Sequence, residues 1–157
     1  MSDRLYDSFF AATRDVLELM LNAGHVAAEP EGAGNADGGL DVEIAVVGDL
    51  TGRVIYHFPT RTALEIVHTL SGMEIASIDD FVVSAVSEIA NIISGHVMSE
   101  FSRDSVGCDI RPPRVVTPEA EKSETGEQVS RIRLQTDVGE IGLDIRLRPA
   151  HAPETRR

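Results

Sequence analysis

Tryptophan is absent from this chain, and aromatic residues of all kinds make up only 4% of it. Proteins that grip single-stranded nucleic acid stack bases on aromatic rings, so a base-stacking platform is not expected. Cysteine occurs once, as Cys108, and no disulfide can form within the chain. One free thiol suits a reducing compartment. With no basic partner in its local sequence, Cys108 reads as a small buried hydrophobe rather than a nucleophile. Cationic residues are few: 14 Lys and Arg stand against 26 Asp and Glu, for a formal net charge of -12. That balance argues against a nucleic acid or an anionic membrane as partner. Metal-ligand spacing is lacking among His25, His57, His68, His96, His151 and Cys108, so no bound metal is expected. No apolar run suggests a membrane span. The N-terminal helix carries Asp3, Asp7, Asp15 and Glu18, unlike the acid-poor run of a signal peptide. The expected location is the cytoplasm.

What is present points to one folded domain over residues 1–157. The chain is 42% hydrophobic, enough to fill a core at this length. Leu5, Phe9, Val16, Leu17, Met20 and Leu21 recur at helical spacing, which predicts a helix from about Asp3 to Asn22. A Gly-rich loop follows. Its "GAGNADGG" lacks the Lys and the preceding strand of a phosphate loop, and its acids lack calcium-loop spacing. Leu40, Val42, Ile44 and Val46 alternate with Asp41 and Glu43, as a strand with one wet face does. "GDLTG" turns the chain into a second strand, "RVIYHF", which Pro59 ends. Thr62 and Glu65 have capping-box spacing, predicting a helix that Gly72 closes. The longest helix is expected over about 79–101, opened by Asp79 and Asp80. "PPRVVT" reads as short and extended, and "SRIRLQ" and "IGLDIRLR" as a terminal pair of strands. Flexible loops are expected at about 25–39 and 118–128, with a frayed tail at about 150–157. Strands grouped by hairpins between helices indicate an α+β fold.

The long helix contains an anomaly. In "SAVSEIANIISGHV", residues 84–97, an apolar helix carries a carboxylate and a carboxamide three residues apart. At about 100° per residue, with Ser84 as origin, Glu88 falls near ~40°, Asn91 near ~340°, Gly95 near ~20° and Asp80 near ~320°. These residues form one narrow stripe, flanked on one side by Ser87 and Ser94. Spacing alone allows two readings. The stripe is either the solvated face of an amphipathic helix or a site. A plain solvated face usually carries Lys, Arg and several Glu, whereas Ser84, Ser87, Ser94 and Gly95 are small and would let another surface approach closely; both readings stay open on the residues alone.

The pattern Ser84-x-x-x-Glu88-x-x-Asn91-x-x-x-Gly95 resembles the signature of the CheC/CheX/FliY chemotaxis phosphatases, with Glu three residues before Asn on a long helix. The order of hairpin, short helix and motif helix is also similar. The second helix has Glu65 followed by His68 rather than Asn, so the resemblance is to the single-motif CheX type. It implies a two-layer fold, with a mainly antiparallel or mixed sheet and long helices packed on one face. The implied activity is hydrolysis of the aspartyl phosphate on a CheY-like response-regulator receiver. Asn91 would orient the water, and Glu88 would pair with the receiver's Lys. Ser84, Ser87, Asp80 and Gly95 would line the partner surface. No cofactor of its own is implied, because the receiver brings Mg²⁺. A homodimer paired through the sheet is implied as well. The alternatives are a receiver-binding or switch-docking module without catalysis, and a dimeric scaffold.

Overall fold

A computed structural model of the chain describes residues 2–22, 27–28, 38–116 and 128–150. Its elements are α1 (Ser2–Leu21), β1 (Ala27–Ala28), β2 (Leu40–Gly48), β3 (Leu50–Phe58), α2 (Thr60–Ser71), α3 (Asp80–Arg103), β4 (Cys108–Ile110), β5 (Arg114–Val116), β6 (Gln128–Thr136) and β7 (Gly139–Pro149). The expected helices and strands occur in the expected order, and two short strands, β1 and β4, are added to them. All pairings are antiparallel, in the order β1-β6-β7-β3-β2-β4, with β5 also paired to β2. Most of the segments expected to be flexible or frayed lie outside the described residues. Within them, Ala27 and Ala28 pair with Gln135 and Leu134 of β6.

Alternation decides which face of the sheet is dry. Val42, Ile44 and Val46 of β2, Val54, Tyr56 and Phe58 of β3, and Ile141, Leu143, Ile145 and Leu147 of β7 are all buried. Side chains two apart on a strand share a face, so these form one continuous apolar surface. The helices cover it. α1 contributes Leu5, Phe9, Ala12, Val16, Leu17 and Leu21, at steps that keep one stripe inward. α3 contributes nine buried residues, among them Val82, Val86, Ile89, Ile93 and Phe101. The result is two layers around one core.

α3 corrects one expectation. By length and composition it is apolar enough to cross a membrane, with a mean hydropathy of 1.4 in its most apolar window. Its apolar face is spent on the core, and its opposite face is polar apart from the exposed Phe81 near its start. Arg4, at the start of α1, pairs with Asp104, the residue that caps the end of α3. The start of one helix therefore lies beside the end of the other.

The start of α2 corrects another. Thr62 forms no capping box, because the helix already begins at Thr60 with Pro59 as its N-cap and no side-chain cap bond. Thr62 is buried inside the first turn, and its Oγ1 donates to the Glu140 carbonyl at 2.8 Å. That bond ties α2 to β7. Gly72 does close the helix, in the left-handed conformation at φ 74°, where glycine is least strained.

No described helix covers the other sheet face, yet it is not uniformly wet. Glu43 is almost buried, and it accepts from Arg53 at 3.2 Å and pairs with Arg114 at 3.3 Å. Asp144 pairs with Arg146 at 3.2 Å and Arg131 at 3.5 Å, and Glu140 pairs with Arg133 at 2.6 Å. Long arginine stems can cover apolar surface while their charged ends stay wet, and Ile55 on this face is buried. Arg146, which the alternation alone places on an exposed face, is buried too.

Candidate functional site

α3 begins at an Asp79 cap whose side chain accepts from the Val82 amide at 3.0 Å. An N-cap side chain satisfies one of the orphan amides of the first turn. Asp80 adds negative charge where the helix dipole favours it. From this start the helix runs for 24 residues without a break. Groups fixed to it keep their spacing to within a rotamer.

The stripe falls on the side of α3 away from the core. Asp80, Ser84 and Glu88 are exposed, and Ser87, Asn91 and Gly95 are half-buried. Glu88 and Asn91 are one turn apart, so their side chains project side by side. Neither has a hydrogen-bond or ion-pair partner among the described residues. A carboxylate and a carboxamide at this position are thus available to an outside molecule. Nothing in the described fold needs them.

Gly95 lies one turn beyond Asn91. A Cβ added there would meet no atom within 4 Å. Glycine inside a helix costs about 1 kcal/mol relative to alanine, and the intramolecular packing offers no reason for it.

Ser94 departs from the expected stripe. It is fully buried, and its Oγ lies 2.7 Å from the Tyr56 hydroxyl. Burial pushes the Tyr56 phenol well above its ordinary value, and the Ser94 bond opposes this only partly. The pair is a neutral buried hydrogen bond that holds α3 to β3. His96 is exposed.

Phe81 was not singled out by spacing or motif, although the signal was there. It lies seven residues before Glu88, which places it within about 20° of the same azimuth. It is 48% exposed. A separate cleft of about 460 Å³ lies between the start of α2 and the β6–β7 turn, lined by Arg61, Thr62, Glu65, Asp137 and Glu140. It includes none of the stripe residues. No group of three or more His, Cys, Asp or Glu side chains that could hold a metal ion occurs among the described residues.

Comparison with known proteins bears on this helix directly. Residues 42–136 match the model of the family described as chemotaxis phosphatase CheX. That span takes in nearly all of the β2–β3 hairpin and the whole of α2, α3 and β6. The chain is 29% identical over 116 residues to the CheY-P phosphatase CheX of Thermotoga maritima, covering 72% of each chain. Among solved structures, it superposes on a chain of the CheX-CheY-BeF3-Mg²⁺ complex from Borrelia burgdorferi with a TM-score of 0.76. The identity there is 23%, over 91% of this chain and 97% of that one. The chemotaxis protein CheX of Vibrio vulnificus gives a TM-score of 0.75 at 21% identity, over 90% of this chain and 94% of that one. The fold agrees, and the family match spans more than half of the chain with the Glu88–Asn91 pair inside it; the chain belongs to the chemotaxis phosphatase CheX family.

Proposed function

We propose that this protein accelerates hydrolysis of the aspartyl phosphate on a CheY-like response-regulator receiver, with Glu88 and Asn91 as the catalytic pair. The observation that carries the reading is the pair itself. Two polar groups one turn apart on a rigid helix face outward without any described intramolecular partner. Membership of the CheX family and the name of the Thermotoga maritima relative support the substrate class.

The chemistry asks little of the helix. An aspartyl phosphate is a mixed anhydride. Water oxygen attacks phosphorus, the bond from phosphorus to the acyl oxygen breaks, and free carboxylate and inorganic phosphate result. Such a reaction is accelerated by positioning and charge stabilisation. The receiver brings Mg²⁺ and a Lys for the charge, so this chain needs no cofactor of its own. The Asn91 carboxamide accepts from the attacking water through Oδ1 and donates through Nδ2, and it adds no negative charge beside the phosphoryl group. Glu88 pairs with the receiver's Lys and holds Asn91 in register. Asp80, Ser84, Ser87 and Gly95 form the surface on which the receiver rests. The small side chains among them let its active-site cleft come down onto the helix.

The same reading includes a single cytoplasmic domain that pairs with a second copy through its sheet. Among the described residues, β1 covers β6 only at Leu134 and Gln135. Along the rest of that edge no described strand pairs with β6, and an open strand edge is a surface that another strand can satisfy. Light scattering at micromolar concentration is expected to give twice the 17.0 kDa chain mass. A monomer mass alone overturns the pairing.

Asn91→Ala tests the catalytic assignment. Decay of a phosphorylated receiver should slow by about 100-fold relative to the wild-type-stimulated rate, as when one transition-state group is lost. The melting temperature should hardly move, because a surface side chain without internal partners contributes less than about 1 kcal/mol. Equal decay with mutant and wild type shows that Asn91 is not catalytic and leaves a docking module.

A further inference from the structure

We infer that Phe81 is the docking anchor for the receiver: an aromatic side chain that seats in an apolar hollow of the partner while Glu88 and Asn91 reach its phosphorylated aspartate. The inference rests on the phosphatase reading and adds a binding residue to it.

Exposure is the first ground. The chain has seven aromatic residues. Phe9, Tyr56, Phe58 and Phe101 are buried, and Tyr6 stacks on Phe10 with both rings partly covered. Phe81 alone is exposed, at 48%. In a chain so poor in aromatics, the one left in water lies on the helix that carries the catalytic pair.

Reach is the second ground. Phe81 is seven residues from Glu88 and ten from Asn91, or about 10 Å and 15 Å along the helix at 1.5 Å per residue. A standard protein interface covers about 800 Å² on each partner, a disc of roughly 16 Å radius. A receiver centred on the Glu88–Asn91 pair therefore covers Phe81 unless it is tilted away from the start of α3. The azimuth leaves little room for that tilt, since Phe81 and Glu88 nearly superpose in projection down the axis.

Charge describes the partner surface further. α3 carries no Lys or Arg before Arg103, whereas Asp80 and Glu88 are exposed on either side of the Phe81–Ser84 turn. The complementary surface is an apolar hollow with a basic rim. Buried aromatic anchors of this kind carry a disproportionate share of binding energy.

The test uses a CheY-class receiver loaded with BeF3 and Mg²⁺ for binding, and the same receiver phosphorylated by acetyl phosphate for turnover. Phe81→Ala should raise Kd and KM about tenfold or more while kcat stays within about twofold, because an anchor far from phosphorus acts on binding. Val115→Ala, which trims an exposed apolar residue on β5, should change neither. Unchanged Kd and KM in Phe81→Ala, with wild-type turnover intact, overturn the anchor and leave the phosphatase reading standing. A wild-type protein that neither binds nor dephosphorylates receivers overturns both. Oxidative labelling of Phe81 in the wild-type protein gives an answer independent of any mutant fold. The BeF3-loaded receiver should protect the ring, and equal labelling with and without it overturns the anchor.

Discussion

Asn91 and Ser94 stand three residues apart on α3, and the packing beneath treats them oppositely. Projection down the helix puts both near the polar stripe. Asn91 stays at the surface, while Ser94 meets the Tyr56 hydroxyl and disappears into the core. Helical spacing carries azimuth but not what lies below, so Glu88 and Asn91 were legible in the sequence and the fate of Ser94 was not. Gly95 can be tested at this same scale. Its missing Cβ would meet nothing, so Gly95→Ala should stabilise the free protein by up to about 1 kcal/mol through helix propensity. The role proposed for it on the receiver-docking surface predicts the opposite sign for activity, since an added methyl one turn from Asn91 would hold the receiver away. The expected outcome is a higher urea midpoint together with slower receiver dephosphorylation. A stabilised variant with full activity shows that Gly95 does not touch the partner.

Helix starts and strand lengths set what could be read at the level of elements. The acidic opening of α3 was legible because Asp79 caps through its own side chain. The spacing from Thr62 to Glu65 looked equally good, yet the N-cap of α2 falls three residues earlier, at Pro59, and Thr62 instead donates to the Glu140 carbonyl. A local motif lost there to a tertiary hydrogen bond. The long strands β2, β3, β6 and β7 showed their period-two pattern, whereas β1 and β4 have two and three residues, too few for any period to show. Asp79→Ala should cost about 1 kcal/mol, the usual loss for removing an N-cap side chain. It should lower the melting temperature while kcat per folded molecule persists, because the cap lies about three turns from Asn91. An unchanged melting temperature would mean that the Val82 amide finds another acceptor.

Across the whole molecule, the two layers divide stability and chemistry between them. The helix layer presents α3 outward, with Glu88 and Asn91 unpartnered among the described residues. The opposite sheet face instead locks its charges together, with Glu43 between Arg53 and Arg114, and Asp144 between Arg146 and Arg131. Alternation placed the arginines on that face. It did not show that Arg146 and Glu43 would be buried, because their burial comes from neighbours on other strands. Removing one partner of a largely buried ion pair leaves the other poorly compensated. Arg114 is mostly exposed and contributes little to the loss. Glu43→Ala should therefore destabilise by about 1–3 kcal/mol, chiefly through Arg53. Its effect on catalysis should be nil, since the sheet and the core layer separate Glu43 from the outer face of α3. Distant sites without shared partners add in free energy. Glu43→Ala combined with Asn91→Ala should then show the stability of the first variant and the turnover of the second. Urea unfolding and receiver-phosphate decay on the four proteins of that cycle test the separation. A Glu43→Ala protein, fully folded at the assay temperature but slow in turnover, would show that the sheet face also meets the receiver.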